Sequence, residues 1–273
     1  IPFGLRSVSV DGMGSVEMGN VAWEEGLKRQ IILTVSESKR LIARAVAQMP
    51  TVQRARREGI LVIATGTTNA YVLEEILGQR IDKRAYRSGM TVPKSPDRSP
   101  EPPTPKIPDV VYRNGEIDSN LDRFTAVPHM GRGDVFIKGA NALDYKNQMA
   151  GILIGGETGG TIGNCVGRVI GSRINLVIPI GLEKLVYGDM TALSRLAADP
   201  DYVGPALFPV YGHIVTEIEA LGMLAGVEAT LLSAGGTCGA EGSVRLLMEG
   251  TPDRIEAAIA LACEVQGEPR CLL

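Results

Sequence analysis

Asp134-Val-Phe-Ile-Lys138-Gly-Ala-Asn141-Ala-Leu-Asp144 is followed, ten residues on, by Ile154-Gly-Gly-Glu157-Thr-Gly-Gly-Thr161-Ile-Gly163. An apolar strand that ends in small and polar residues, then a loop whose glycines let backbone amides approach a ligand, is how open α/β sheets build sites at their strand ends. These two segments predict an α/β fold and locate a binding site, while leaving the ligand unnamed.

Upstream, Ile60-Leu-Val-Ile-Ala64 is a continuous apolar run of the kind found in strands buried on both faces. Thr65-Gly66-Thr67-Thr68-Asn69 then leads into a helix carrying Val72, Leu73, Ile76 and Leu77 and closed by Gly78. The start of that helix offers free amides and a positive dipole end. Before it, Ser36 reads as the N-cap of a helix whose apolar residues Leu41, Ile42, Ala45, Val46 and Met49 recur at the helical period, ending at Met49-Pro50. A short arginine-rich helix over 53–58 follows.

Downstream, residues 151–154 and 175–180 predict two more strands, with a helix over about 163–171 between them. Strands alternating with helices imply a parallel sheet with right-handed crossovers. Residues 1–35, with β-branched runs at 8–10 and 31–35, read as a lead-in. Residues 93–108 hold seven of the sixteen prolines and predict an insertion loop, either a surface excursion or a lid over the site.

After Pro200 the pattern changes. Residues 207–211 read as an edge strand interrupted by Pro209, 213–224 as a helix, 229–233 and 244–248 as paired strands, 251–266 as a helix and 270–273 as a last strand. That β-α-β-β-α-β order is ferredoxin-like. The expected organisation is a lead-in (1–35), an α/β domain (36–199) with its proline-rich insertion, and a ferredoxin-like α+β domain (200–273).

With 273 residues, 44% of them hydrophobic, the chain can bury a sizeable core. Its net charge of −3 gives no overall basic surface for nucleic acid or an anionic membrane. No run approaches the roughly 20 apolar residues of a membrane helix, and no secretory signal pattern opens the sequence, so a cytoplasmic protein is expected. The first residue is Ile1 rather than methionine, the pattern of a fragment or trimmed chain. Cys165, Cys238, Cys263 and Cys271 lack paired metal-ligand spacing, and only His129 and His213 offer imidazoles, so no metal or cofactor is expected. Buried reduced thiols are the expectation, with Cys238, in Gly-Gly-Thr-Cys-Gly, the one in an exposable loop. The two histidines read as structural or capping residues.

Taken in order, several segments resemble the superfamily of ribose-5-phosphate isomerases, glucosamine-6-phosphate deaminases and coenzyme A transferases. They are Ser38-Lys-Arg-Leu-Ile-Ala-Arg-Ala-Val46, Ile60 to Ala64, Thr65-Gly-Thr-Thr-Asn69, Lys138-Gly-Ala-Asn-Ala-Leu-Asp144, Ile154-Gly-Gly-Glu-Thr-Gly-Gly160 and Leu176-Val-Ile-Pro-Ile-Gly-Leu-Glu-Lys-Leu-Val186. The resemblance covers about residues 36–190. It implies a Rossmann-like parallel-sheet domain, a phosphate loop at Thr65 to Asn69, and a partner that is a phosphorylated small molecule or a coenzyme A thioester.

The departures are chemical. Where the isomerases carry two acids at the strand end, this chain has Lys138 and Asn141, and the third acid survives as Asp144. Ile154 replaces the turn lysine, and Gly163 falls where the proton-removing glutamate is expected. An aldose-ketose isomerase needs a carboxylate base, so ribose-5-phosphate isomerase activity is not expected.

The candidate catalytic residues are Lys138, Asp144 and Glu157. The candidate ligand contacts are Thr65, Gly66, Thr67, Thr68, Asn69, Gly139, Asn141, Gly155, Gly156, Thr158, Gly159, Gly160 and Thr161. A lysine closing an apolar strand pairs with an anion or carboxylate, reaches solvent, or acts as a nucleophile. Glu157 is either a solvated loop residue or, by the resemblance to the transferases, a nucleophile. The leading expectation is an enzyme acting on a phosphorylated sugar, nucleotide or acyl-coenzyme A. A homo-oligomer is expected; the alternatives to an enzyme are a sensor or assembly subunit that kept the pocket and lost the acids, and a purely structural protein whose copies pair through an exposed C-terminal sheet edge.

Overall fold

The computed structural model describes residues 26–89, 91 and 105–270. In chain order the strands are β1 (Leu27–Leu33), β2 (Ile60–Ile63), β3 (Val110–Arg113), β4 (Glu116–Ile117), β5 (Val135–Ile137), β6 (Ala142–Asp144), β7 (Met149–Ile154), β8 (Asn175–Pro179), β9 (Ala206–Val210), β10 (His213–Val215), β11 (Glu228–Ala234) and β12 (Val244–Gly250). The helices are α1 (Val35–Gln48), α2 (Pro50–Glu58), α3 (Thr67–Leu77), α4 (Arg123–Ala126), α5 (Gly160–Gly171), α6 (Met190–Leu196), α7 (Glu217–Ala225) and α8 (Pro252–Val265). Among the described residues the result is a mixed α/β architecture of three sheets.

The central sheet has the order β10-β8-β5-β2-β3-β4. β2, β5, β8 and β10 run parallel, and β3 and β4 add an antiparallel hairpin on the far side of β2. Ile60 to Ile63, Val135 to Ile137 and Leu176 to Pro179 are buried throughout, which is why these strands read as unbroken apolar runs. Asp134 fixes the start of β5 by accepting from Ile60 N (2.8 Å) and Gly131 N (2.7 Å). After β2 the chain goes to β3 on one flank, then returns to β5 on the other. The ends of β2 and β5 therefore open a crevice between diverging connections.

α1 packs against α3 and α7 and contributes Leu41, Ile42 and Val46 to the core. Its N-cap is Thr34, not Ser36: Thr34 and Glu37 form a reciprocal capping box, and Ser36 is already helical. α2 starts at Pro50, earlier than expected, because proline suits a first helical position.

Three expectations are corrected. Residues 151–154 do not extend the parallel sheet; they lie in β7, which pairs antiparallel with β6 and β9 in a separate three-stranded sheet. Residues 200–273 do not form a ferredoxin-like unit. β9 joins β7, and the segment from His213 supplies β10, parallel to β8, before Thr216 caps α7. The remaining pair, β11 and β12, is completed by β1, which pairs along its whole length with β12, so the segment read as a lead-in supplies a strand. Hydrogen-bonded strands thus span the boundary expected near residue 200. The expected strand over 270–273 and the run at 8–10 fall almost entirely outside the described residues, as does most of the proline-rich stretch.

No described helix is long and apolar enough to cross a membrane. Among the described cysteines Cys165 is buried and Cys238 exposed, as read; Cys263 is exposed on α8, where burial was expected.

Candidate functional site

The loop after β2, the end of β5, the end of β7 and the start of α5 surround one cleft of about 670 Å³. Gly66, Thr67, Thr68 and Asn69 form one wall, Lys138, Gly139 and Asn141 the next, and Gly155, Gly159, Gly160 and Thr161 a third. Two sequence segments nearly seventy residues apart therefore face one volume.

The ends of two helices point at it. Of the eight α-helices described, α1, α4, α6 and α7 carry a side-chain N-cap, and α2 and α8 begin with proline. α3 and α5 have neither: their N-caps are Gly66 and Gly159, with no side chain to bond the first amides. Uncapped amides at a helix start are donors for an anion, with the dipole in their favour.

Four basic side chains join them: Lys39 from α1, Arg123 from α4, Lys138 at the end of β5 and Lys184 after β8. No acid is among the described residues that line the cleft. Arg123 ties its two walls together. It donates to Thr161 Oγ1 (2.8 Å) at the start of α5 and to Thr65 Oγ1 (2.5 Å) after β2, and is held from behind by Asp109 (2.5 Å). Asp109 also accepts from Thr65 N (2.7 Å), fixing the loop backbone.

Lys138 and Lys184 are both largely enclosed. Lys138 Nζ donates to Gly139 O (3.1 Å) and Lys184 Nζ to Ala140 O (2.8 Å). Burial, then the charges of Arg123 and Lys184, pulls the Lys138 amine down to about 8, against an opposing pull from Asp109. Burial also lowers the Lys184 amine, and nearby Lys39 adds to this while Glu183 and Glu217 oppose it.

Asn69 sits at the crevice itself. It is fully buried, and its Nδ2 donates to Ala64 O (2.7 Å) and Ile137 O (3.2 Å), bridging the ends of β2 and β5. Its Oδ1 is buried with no hydrogen-bond partner among the described residues, and a side chain at Gly139 would meet it at 3.8 Å. A buried acceptor of this kind suits a ligand hydroxyl. Asn141 is braced by Leu153 N, which donates to its Oδ1 (3.1 Å).

Some expected residues lie elsewhere. Asp144 is buried beyond the strand end, where its carboxylate accepts from Asn147 N (3.1 Å), Asn147 Nδ2 (2.8 Å) and Met190 N (3.1 Å). Burial works to raise it, but these bonds win and hold it below the ordinary carboxylate range. It organises the β6–β7 turn and the start of α6 instead of facing the cleft. Glu157 is exposed and, with Gly156 and Thr158, lies on the loop before α5 without lining the cleft. Thr65 stands behind the wall, as a support for Arg123. His129 and His213 are exposed and are not among the lining residues.

Arg123, Lys39 and Lys184 were absent from the residues singled out in the sequence. A signal for Arg123 existed: Asp122-Arg-Phe-Thr125 is a capping pattern, and both halves of the box form. Lys184 follows the end of β8 by a few residues, as a strand-end functional group does. No protein-family model, curated protein or solved structure matches this chain.

Proposed function

We propose that this chain binds a phosphorylated small molecule in the crevice between β2 and β5, on a Rossmann-like sheet of the isomerase and transferase type. The observation that carries this reading is the cleft's charge: four basic side chains and two uncapped helix starts, with no acid among its described lining. Four cations around one cleft, of which only Arg123 has a carboxylate against it among the described residues, are costly to hold together, and an anionic guest offsets that cost. The volume suits a sugar phosphate or nucleotide, and the orphan Asn69 acceptor suits a hydroxyl on the same ligand.

None of the described lining residues offers the carboxylate that proton shuttling would use. An enzyme here works through lysine, and a sensor needs no such group. Calorimetry with inorganic phosphate, sugar phosphates, nucleotides and a coenzyme A thioester tests the site, and turnover assays on each binder separate enzyme from sensor. Binding is expected to weaken as ionic strength rises. Arg123→Met should reduce phosphate affinity at least tenfold, and full affinity in that variant would remove the proposal.

A further inference from the structure

Lys138 and Lys184 bring two amines to one wall of the cleft, and neither has a carboxylate partner among the described residues. Lys28 and Lys83, by contrast, are paired, with Glu249 (3.2 Å) and Glu74 (3.0 Å). Each cleft amine instead donates to a backbone carbonyl, which satisfies one N–H without neutralising charge. Asp109, the acid that acts on Lys138, is committed to Arg123 and to Thr65 N, and Glu183 and Glu217 act on Lys184 without bonding to it. An enclosed amine among cations and carbonyls is disposed to shed its proton, and a neutral amine is a nucleophile.

We propose that the Lys138 amine adds to the carbonyl carbon of a phosphorylated aldehyde or ketone seated in the cleft and forms an imine with it. The nitrogen lone pair forms the N–C bond as the C=O π pair moves to oxygen. Transfer of the nitrogen's proton to that oxygen gives the carbinolamine. A second N–H proton then leaves with the hydroxyl as water, so amine plus carbonyl gives imine plus water, with no change of oxidation state. This inference rests on the anion-binding reading and narrows it to carbonyl compounds. The Lys138 amine titrates at about 8 against an ordinary 10.5, with Arg123 and Lys184 as its cationic neighbours and Asp109 as the opposing acid. At pH 7 that exposes about 300-fold more free amine than an ordinary lysine.

Pyridoxal 5′-phosphate serves as the probe, with pyridoxal as its unphosphorylated control, followed by borohydride reduction and peptide mass mapping. At pH 7 the expected result is a single adduct on Lys138. It should form at least tenfold faster than at any exposed lysine, be suppressed by excess inorganic phosphate, and be absent in Lys138→Arg. Lys184→Met, or Lys184→Gln if the first does not fold, removes a neighbouring charge and should move the pH midpoint of labelling upward; an unmoved midpoint removes the electrostatic argument. Phosphate-suppressible binding by calorimetry without an adduct, or labelling scattered over other lysines, overturns the imine and leaves the anion site standing. No phosphate-suppressible binding at all overturns both.

Discussion

Glu217 begins α7 with no exposure to solvent. Its Oε2 accepts from Leu182 N (2.9 Å), while its Oε1 and the Oε2 of nearby Glu183 are both buried without a partner among the described residues. Burial first, then the Glu183 charge, pushes the Glu217 carboxyl up to about 7. In the unfolded chain it titrates near 4.5, so between these values only the folded state holds the proton. Stability therefore falls as pH rises from 4.5 through 7, by about 3 kcal/mol in all from this group, and is level above. Glu217→Gln should be flat across that range and more stable than the parent at pH 8. Urea unfolding at pH 5, 6, 7 and 8 checks this, and parallel curves for the two proteins would show that Glu217 is not the titrating group. The pair was invisible in the sequence, because nothing local brings residues 183 and 217 together. Lys138 was legible because it ends its own strand.

Gly159 shows what an element start demands. It has φ of +80°, and a side chain there would meet Gly163 Cα at 2.8 Å, inside the first turn of α5. Gly159→Ala should therefore cost about 1–2 kcal/mol for the left-handed backbone, more for the collision, and weaken phosphate binding by displacing the start of α5. Gly78→Ala is the control, because Gly78 has φ of +69° with open space around it and lies at the far end of α3. It should show the backbone cost alone, with binding unchanged; equal effects in the two variants would refute the role given to α5. Elements with a strong local signal were read correctly in kind: the buried runs of β2, β5 and β8, and the helical period of α1. The hairpin of β3 and β4 was missed although Asn114-Gly115, with φ of 50° and 95°, is the turn such hairpins favour. With it went α4 and Arg123, the residue that joins the cleft's walls. β7 was assigned to the wrong sheet because a short apolar run does not record its partner.

At the scale of the molecule, the late part of the described chain is bound back onto its beginning. β1 pairs with β12, and Glu268, beyond α8, reaches a buried ion cluster on α1 and α3. Arg40, 3% exposed, donates to Glu268 (3.0 and 3.1 Å), to Glu75 (2.7 Å) and to Glu74, while Arg80 and Lys83 add cations on the same acids. This is why a boundary near residue 200 was attractive in sequence and fails in space: composition changes there, but pairing across it is long-range and leaves no local mark. Burial would raise Glu268, yet the bonds from Arg40 and Arg80 hold it at about 2. Its contribution to stability is therefore complete above the ordinary value near 4.5 and is lost as pH falls toward 2. Glu268→Gln leaves Arg40 with less compensation in a buried place, so it should destabilise the protein at pH 7 by roughly 3 kcal/mol. Below pH 4.5 the parent loses the same advantage, and the gap between the two proteins should narrow. Urea midpoints measured at pH 7 and pH 3 test this: a gap equally wide at both would mean that Glu268 acts through packing and not through its charge.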